Sequence, residues 1–268
     1  MAQGGHTEPW DGETGLPSAG FPGAEPAGGE SSGAVSSAGE PSGGEPSADR
    51  LLNQNSFPSD QRAAVYRVID ERRDVRRGFL ADPIPADVLE RVLAAAHRAP
   101  SVGFSQPWDF LLITDPDRRA RIKALAERSR EDFAAGLPGA RARAFDQLKT
   151  EAILQTPVNI VVTCDATRGG RHTLGRHAQP QTAVYSSVLA VANLWLAARA
   201  EGLGVGWVSF YREEFLRDLL GIPDRVRPIA WLCLGSVSRL QDVPDLERFG
   251  WRERRPLAEA VHRERYRG

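Results

Sequence analysis

Residues 71 to 79 read ERRDVRRGF and set four arginines, Arg72, Arg73, Arg76 and Arg77, around one carboxylate, Asp74. As a helix at 100° per residue, this stretch puts Arg72 and Arg76 on one face with Arg73 beside them. Two or three guanidiniums could then converge on one bidentate anion such as a phosphate. Asp74 among these cations is expected to be ionised at neutral pH, because nearby positive charge favours the carboxylate. An ionised carboxylate can accept a hydrogen bond or a proton. The competing reading is a helix C-terminus whose cations offset the helix dipole, with surface pairs such as Asp70 with Arg73 and Asp74 with Arg77.

Three more stretches carry usable chemistry. In APSVGFSQPW, residues 99 to 108, a helix stops at proline, and the loop offers Ser101, Gly103, the carboxamide of Gln106, Pro107 and an aromatic ring. Amides of this kind can hydrogen-bond a planar heterocycle, although the same residues make ordinary turns. In GLGVGWVSFY, residues 202 to 211, alternation puts Trp207 and Ser209 on one side and Val208 and Phe210 on the other. A serine among large apolar side chains needs a hydrogen-bond partner, which can be backbone or ligand. GWRERRPL, residues 250 to 257, adds Arg252 and Arg254. The familiar signatures GxxxxGK[ST], GxSxG and CxxC are absent, and GLGVGW enters a strand rather than opening a helix. His172 and His177 share a loop without a carboxylate or thiol at ligand spacing, so no metal site is expected.

These stretches need elements to hold them. Residues 59 to about 77 are predicted to be helical, ending near Gly78, and IPADVLERVLAAAHRAP, residues 84 to 100, carries a second helix with Val88, Leu89, Val92, Leu93 and Ala96 at helical spacing, stopped by Pro100. DFLLITD and VNIVVTCD read as strands. Between them, residues 116 to 135 and 140 to 155 read as two polar, arginine-rich helices. Residues 182 to 201 are apolar nearly all round, which marks a helix buried on most faces, in a core or at a subunit interface. GLGVGWVSFY and RPIAWLCLGSV supply two further strands around a short helix, and the C-terminus reads as a turn leading into an amphipathic helix. The whole is an α+β domain without repeats.

Composition sets apart the first 50 residues. They hold eight acidic residues and one basic one in a Gly, Pro, Ser and Ala background. Such a segment cannot bury enough surface to order itself, so residues 1–55 are expected to be a disordered tail and 56–268 the folded domain. The remaining 218 residues carry 33 basic and 27 acidic side chains, and only Lys123 and Lys149 are lysines. The start of the chain has neither the basic nor the apolar region of a signal peptide. No stretch reads as a membrane span, and the arginine-rich helices interleave acids, which argues against nucleic-acid binding. Two distant cysteines in apolar strands suggest reduced thiols and a cytoplasmic protein.

Taken together and in this order, RRDVR, APSVGFSQPW, GLGVGWVSFY and WRERRPL resemble the nitroreductase-like flavoprotein superfamily. TPVNIVVTCDATRGG and NLWLAARAEGLGVGWVS are similar to one branch of it, the 5,6-dimethylbenzimidazole synthase family. Ordinary nitroreductases carry serine where this chain has Asp74, and the synthases carry aspartate. The resemblance implies a nitroreductase-like fold, a mostly antiparallel central sheet flanked by helices, and a homodimer with FMN at its interface. It implies that Arg72, Arg73 and Arg76, with Arg252 or Arg254, hold the phosphate, and that Asp74 and Val75 lie near the flavin. Ser101, Gly103, Gln106 and Pro107 would lie along the isoalloxazine, with Trp207, Val208 and Ser209 at its other side or edge and Lys149 nearby. The implied reaction consumes FMNH2 with O2 and no metal, giving 5,6-dimethylbenzimidazole and D-erythrose 4-phosphate, with Asp74 and Ser209 as the catalytic pair. A flavin reductase or NAD(P)H would supply the electrons. The alternative is an NAD(P)H-dependent nitroreductase or flavin reductase.

Overall fold

The computed structural model describes residues 55–266. The acidic tail expected over residues 1–55 thus lies, but for Asn55, outside the described residues. From Phe57 onward the chain is one compact unit. Its helices are α1 (Ser59–Glu71), α2 (Ala86–His97), α3 (Pro116–Ala135), α4 (Gly139–Asp146), α5 (Thr182–Ala200), α6 (Glu213–Leu220) and α7 (Asp245–Arg248). The strands are β1 (Trp108–Ile113), β2 (Val158–Asp165), β3 (Leu203–Val208) and β4 (Val226–Ser236). They form one sheet in the order β1-β2-β4-β3, and every pairing between them is antiparallel.

Both faces of this sheet are buried, which is why its central strands read as continuous apolar runs rather than alternating ones. The two-residue period still sorts the side chains. Ile160 and Val162 of β2, with Ala230, Leu232 and Leu234 of β4, pack against α2 and α5. Val161, Val208, Trp231 and Cys233 point the other way, onto Ile122 and Ala126 of α3 and Leu216 and Leu219 of α6. Helix α5 is the one described helix long and apolar enough to cross a membrane, but Ala190, Val191, Leu194 and Ala198 bury against the sheet and α2. Across the sheet, Asn159 is fully buried and satisfied. Its amide donates to the Ile153 carbonyl and Thr156 Oγ1, and its oxygen accepts from Trp231 Nε1 at 2.6 Å.

Three sequence expectations are corrected. The first helix ends at Glu71, not near Gly78. Arg72 makes the last helical bond, to the Val68 carbonyl, and then turns to ψ 132. Residues 72 to 77 run extended beside β3, whose edge would otherwise present unpaired backbone groups. The Val75 N–H donates to the Val205 carbonyl at 2.9 Å, and Asp74 bridges Val205 in parallel sense. The helix expected over 140–155 stops at Asp146, because Ala152 and Ile153 must leave its axis to enter the core under β2. The C-terminal amphipathic helix is absent. Only α7 and one 3-10 turn, Leu257–Glu259, form there, and Leu257 and Val261 are exposed with no core to bury them.

Candidate active site

Because residues 72 to 77 are extended, their side chains alternate instead of sharing a helical face. Val75 points into the core at 7 % exposure, while Asp74 and Arg76 open on a cavity. Asp74 Oδ1 accepts from the Trp207 N–H at 3.0 Å and from Arg76 Nη1 at 2.6 Å. Arg76 Nη2 donates to the Trp207 carbonyl in turn. The glycines of GLGVGW explain how the segment comes so close. A Cβ on Gly206 would sit 2.2 Å from the Val75 carbonyl oxygen and 2.7 Å from Arg76 Nη1. Burial raises the Asp74 pKa above the ordinary aspartate value, against the opposing pull of Arg76, the Trp207 N–H and Arg72. The cations thus oppose a larger effect of burial, although the Asp74 side chain keeps 46 % exposure toward the cavity.

The cavity has a volume of about 520 Å3, within the range of small-molecule sites. Asp74, Arg76, Lys149, Trp207 and Ser209 all line it. Ser209 lies just past the end of β3, where strand alternation has ceased, so Phe210 lines the cavity as well. Burial lowers the Lys149 pKa below the ordinary lysine value, with Glu151 opposing and Arg77 reinforcing. The opposite wall is aromatic, made by Phe133 of α3, Phe145 of α4, Phe210 and Trp251. The Phe133 and Phe145 rings are 5.1 Å apart and Phe145 and Trp251 5.9 Å. Arg130 and Arg141 stack on this cluster, over Phe145 at 4.8 Å and Trp251 at 5.0 Å. Sequence reasoning missed this wall, although Phe133 and Phe145 stand out as the aromatic residues in arginine-rich helices.

The other predicted residues lie elsewhere. Arg72 stacks on Trp195 at 5.0 Å, beside the cavity. The Arg73 guanidinium donates to the carbonyls of Asp70, Arg72 and Asp242. Asp70 thus meets Arg73 through its backbone, and Asp74 pairs with Arg76 where the surface-pair reading had Arg77. Val208 is fully buried on the far face of β3. Arg252 and Arg254 are exposed, just after Trp251.

Ser101, Gly103, Gln106 and Pro107 stand at the opposite edge of the sheet, before β1. Crossing from there to the Asp74 segment takes four strand spacings, about 19 Å. Their loop is tightly held. Ser101 Oγ accepts from the Gln106 N–H, Ser105 Oγ donates to the Val102 carbonyl, and Arg168 Nη1 donates to the carbonyls of Gln106 and Trp108. Gly103, Phe104 and Gln106 all have positive φ. A Cβ on Gly103 would meet Thr173 Cγ2 at 2.5 Å, and Phe104 is 82 % exposed.

A nitroreductase family model matches residues 69–236, and the chain belongs to that family. A 5,6-dimethylbenzimidazole synthase of Rhodospirillum rubrum is 42 % identical over 69 % of this chain and 87 % of the relative. One of Rhodobacter capsulatus is 37 % identical over 75 % of this chain and 97 % of the relative. Within the nitroreductases the chain belongs with these synthases. Among solved structures, an oxidized iodotyrosine deiodinase bound to FMN and 3-iodo-L-tyrosine superposes with a TM-score of 0.58 at 22 % identity, over 75 % of this chain and 99 % of the other. An NADPH:FMN oxidoreductase from Vibrio harveyi gives 0.56 at 19 %, over 76 % and 79 %. The fold is that of a nitroreductase.

The residues fit a flavin. An aromatic wall suits a planar ring system, Lys149 and Arg76 supply cations beside it, and Arg72 stacks on Trp195, which lines the cavity.

Proposed function

We propose that the chain is a 5,6-dimethylbenzimidazole synthase that fragments FMNH2 with O2, giving 5,6-dimethylbenzimidazole and D-erythrose 4-phosphate. The observation that carries this reading is Asp74. A carboxylate is fixed by the Trp207 N–H on the wall of the same cavity as Ser209, in a chain 42 % identical to a named synthase. Reduced flavin reacts with O2 without a metal, and it is the substrate, so the protein contributes binding, orientation and proton handling. Asp74 Oδ1 is held by two donors, which leaves Oδ2 to accept a proton or hydrogen bond from the ribityl chain or ring. The Ser209 hydroxyl is the relay beside it. Lys149 faces the polar edge of the isoalloxazine, and the aromatic wall excludes water. Arg72, with Arg252 or Arg254, holds the phosphate.

Two copies make the site. The loop carrying Ser101, Gly103, Gln106 and Pro107 is too far from Asp74 to reach the same flavin within one chain, so it serves the cavity of a second copy. The exposed Tyr185, Val188 and Leu189 of α5 supply the apolar surface of that homodimer. We place the protein in the cytoplasm, where its two buried thiols stay reduced and a flavin reductase or NAD(P)H supplies the electrons. The test is to mix purified protein with chemically reduced FMN, admit air, and look for 5,6-dimethylbenzimidazole by mass. Full recovery of FMN with no such product overturns the proposal.

A further inference from the structure

Arg76, at the cavity, has its side chain only 13 % exposed. Both terminal nitrogens are already engaged, Nη1 with Asp74 Oδ1 and Nη2 with the Trp207 carbonyl. The Trp207 N–H closes the ring by donating to the same Asp74 oxygen. One guanidinium therefore ties the carboxylate to the end of β3, two residues before Ser209. The sequence leaves room for it, because the space a Cβ on Gly206 would fill is taken by Val75 and by Arg76 Nη1. Phosphate recognition by arginine is typically bidentate, through two nitrogens of one guanidinium, and in Arg76 both terminal nitrogens already donate to the protein, to Asp74 and to the Trp207 carbonyl.

We infer that Arg76 is a positioning residue: it fixes Asp74 against β3, aims the other carboxylate oxygen into the cavity beside Ser209, and takes no part in holding the phosphate. Its charge also keeps the carboxylate available as an acceptor. The remaining charged groups around Asp74 are Arg72, Arg73 and Arg77 from its own segment, Lys149 and Asp245 in the cavity lining, and Arg239 beside the segment. None of these other cations makes a hydrogen bond to the carboxylate. Arg76 is therefore the cation whose removal acts most directly on it. The inference rests on the proposed function only for its kinetic readout.

The experiment uses full-length Arg76→Met and Arg76→Lys. Oxidised FMN and riboflavin are each titrated by flavin fluorescence. Losing a charge-assisted phosphate contact costs about 10-fold or more in affinity, so a phosphate role requires the preference for FMN over riboflavin to fall by that factor. The positioning role leaves the preference within about 2-fold, since no phosphate contact of that worth is lost. It also moves the acid limb of product formation in Arg76→Met up by about one pH unit or more, and in Arg76→Lys by less, because a neighbouring cation lowers an aspartate pKa. The carboxyl stretch of Asp74, read by infrared difference against Asp74→Asn, follows the same titration without turnover. Should Arg76→Met fail to fold, Arg76→Lys decides on both readouts. Loss of the FMN preference, or an Asp74 titration that does not move, overturns the inference. If the native enzyme makes no product, the function fails while the affinity ratio and the infrared titration still decide the role of Arg76.

Discussion

Gly206→Ala is the sharpest probe of how this site is built. The added methyl carbon would lie 2.2 Å from the Val75 carbonyl oxygen, a backbone atom that no rotamer change can move. Reaching even a tight 3.0 Å contact requires the 72–77 segment to recede by about 0.8 Å. Applied along their axes, that movement stretches the Val75 N–H to Val205 bond from 2.9 Å and the Trp207 N–H to Asp74 bond from 3.0 Å beyond the limit at which either counts as a hydrogen bond. Two lost bonds cost about 1–3 kcal/mol, and overpacking adds about 1–3 kcal/mol, so a destabilisation of about 2–6 kcal/mol is expected. Urea unfolding followed by circular dichroism measures it. Fluorescence titration with FMN reports the site, where affinity should drop because Asp74 and Arg76 move with the segment. Gly139→Ala is the control, since a Cβ there meets nothing within 4 Å. An unchanged unfolding midpoint with native FMN affinity in Gly206→Ala would refute the reasoning.

Asp74→Asn keeps an oxygen for the Trp207 N–H and removes the charge, so FMN should still bind while product formation falls by about 100- to 10,000-fold, the usual worth of a positioned acid–base group; quenched-flow mass analysis checks it. The same substitution should flatten part of the pH dependence of stability. The folded-state pKa of Asp74 is raised, so its contribution is present at low pH and is lost as pH rises through that raised value. Flavin-free native protein should accordingly lose more stability than Asp74→Asn over that interval, as thermal melts across pH will show. Trp251→Ala opens the aromatic wall where Phe133, Phe145 and Arg141 meet it, and should weaken FMN binding by about 10-fold, taking about 1.5 kcal/mol, the low end for a large side chain, because Trp251 is half-buried. Co-expressing Asp74→Asn with Gln106→Ala chains and isolating the mixed dimer should restore product formation, because one of its two cavities then has both halves native; an inactive mixed dimer would show that the loop serves its own chain.

Sequence alone determined most of the frame. VNIVVTCD predicted a strand that spans Val158–Asp165, and the all-round apolar stretch from residue 182 gave the helix Thr182–Ala200. Both are long, strongly patterned segments whose local preference agrees with their burial. Asp74, Trp207, Ser209 and Lys149 were legible as site candidates from residue type and family resemblance, and they line one cavity. What only the tertiary structure decided is how those residues meet. The ERRDVRR stretch has good helical propensity, and nothing within it says that an unpaired strand edge 130 residues later will claim its backbone. Propensity gives way there because pairing with β3 satisfies backbone groups that a longer helix would leave open. The same long-range pairing turned four interchangeable arginines into four different ones: Arg72 on Trp195, Arg73 on three carbonyls, Arg76 on Asp74, and Arg77 on the Gln147 carbonyl. The aromatic wall was hidden for a related reason, since Phe133, Phe145, Phe210 and Trp251 come from four separate elements and converge only when the chain folds.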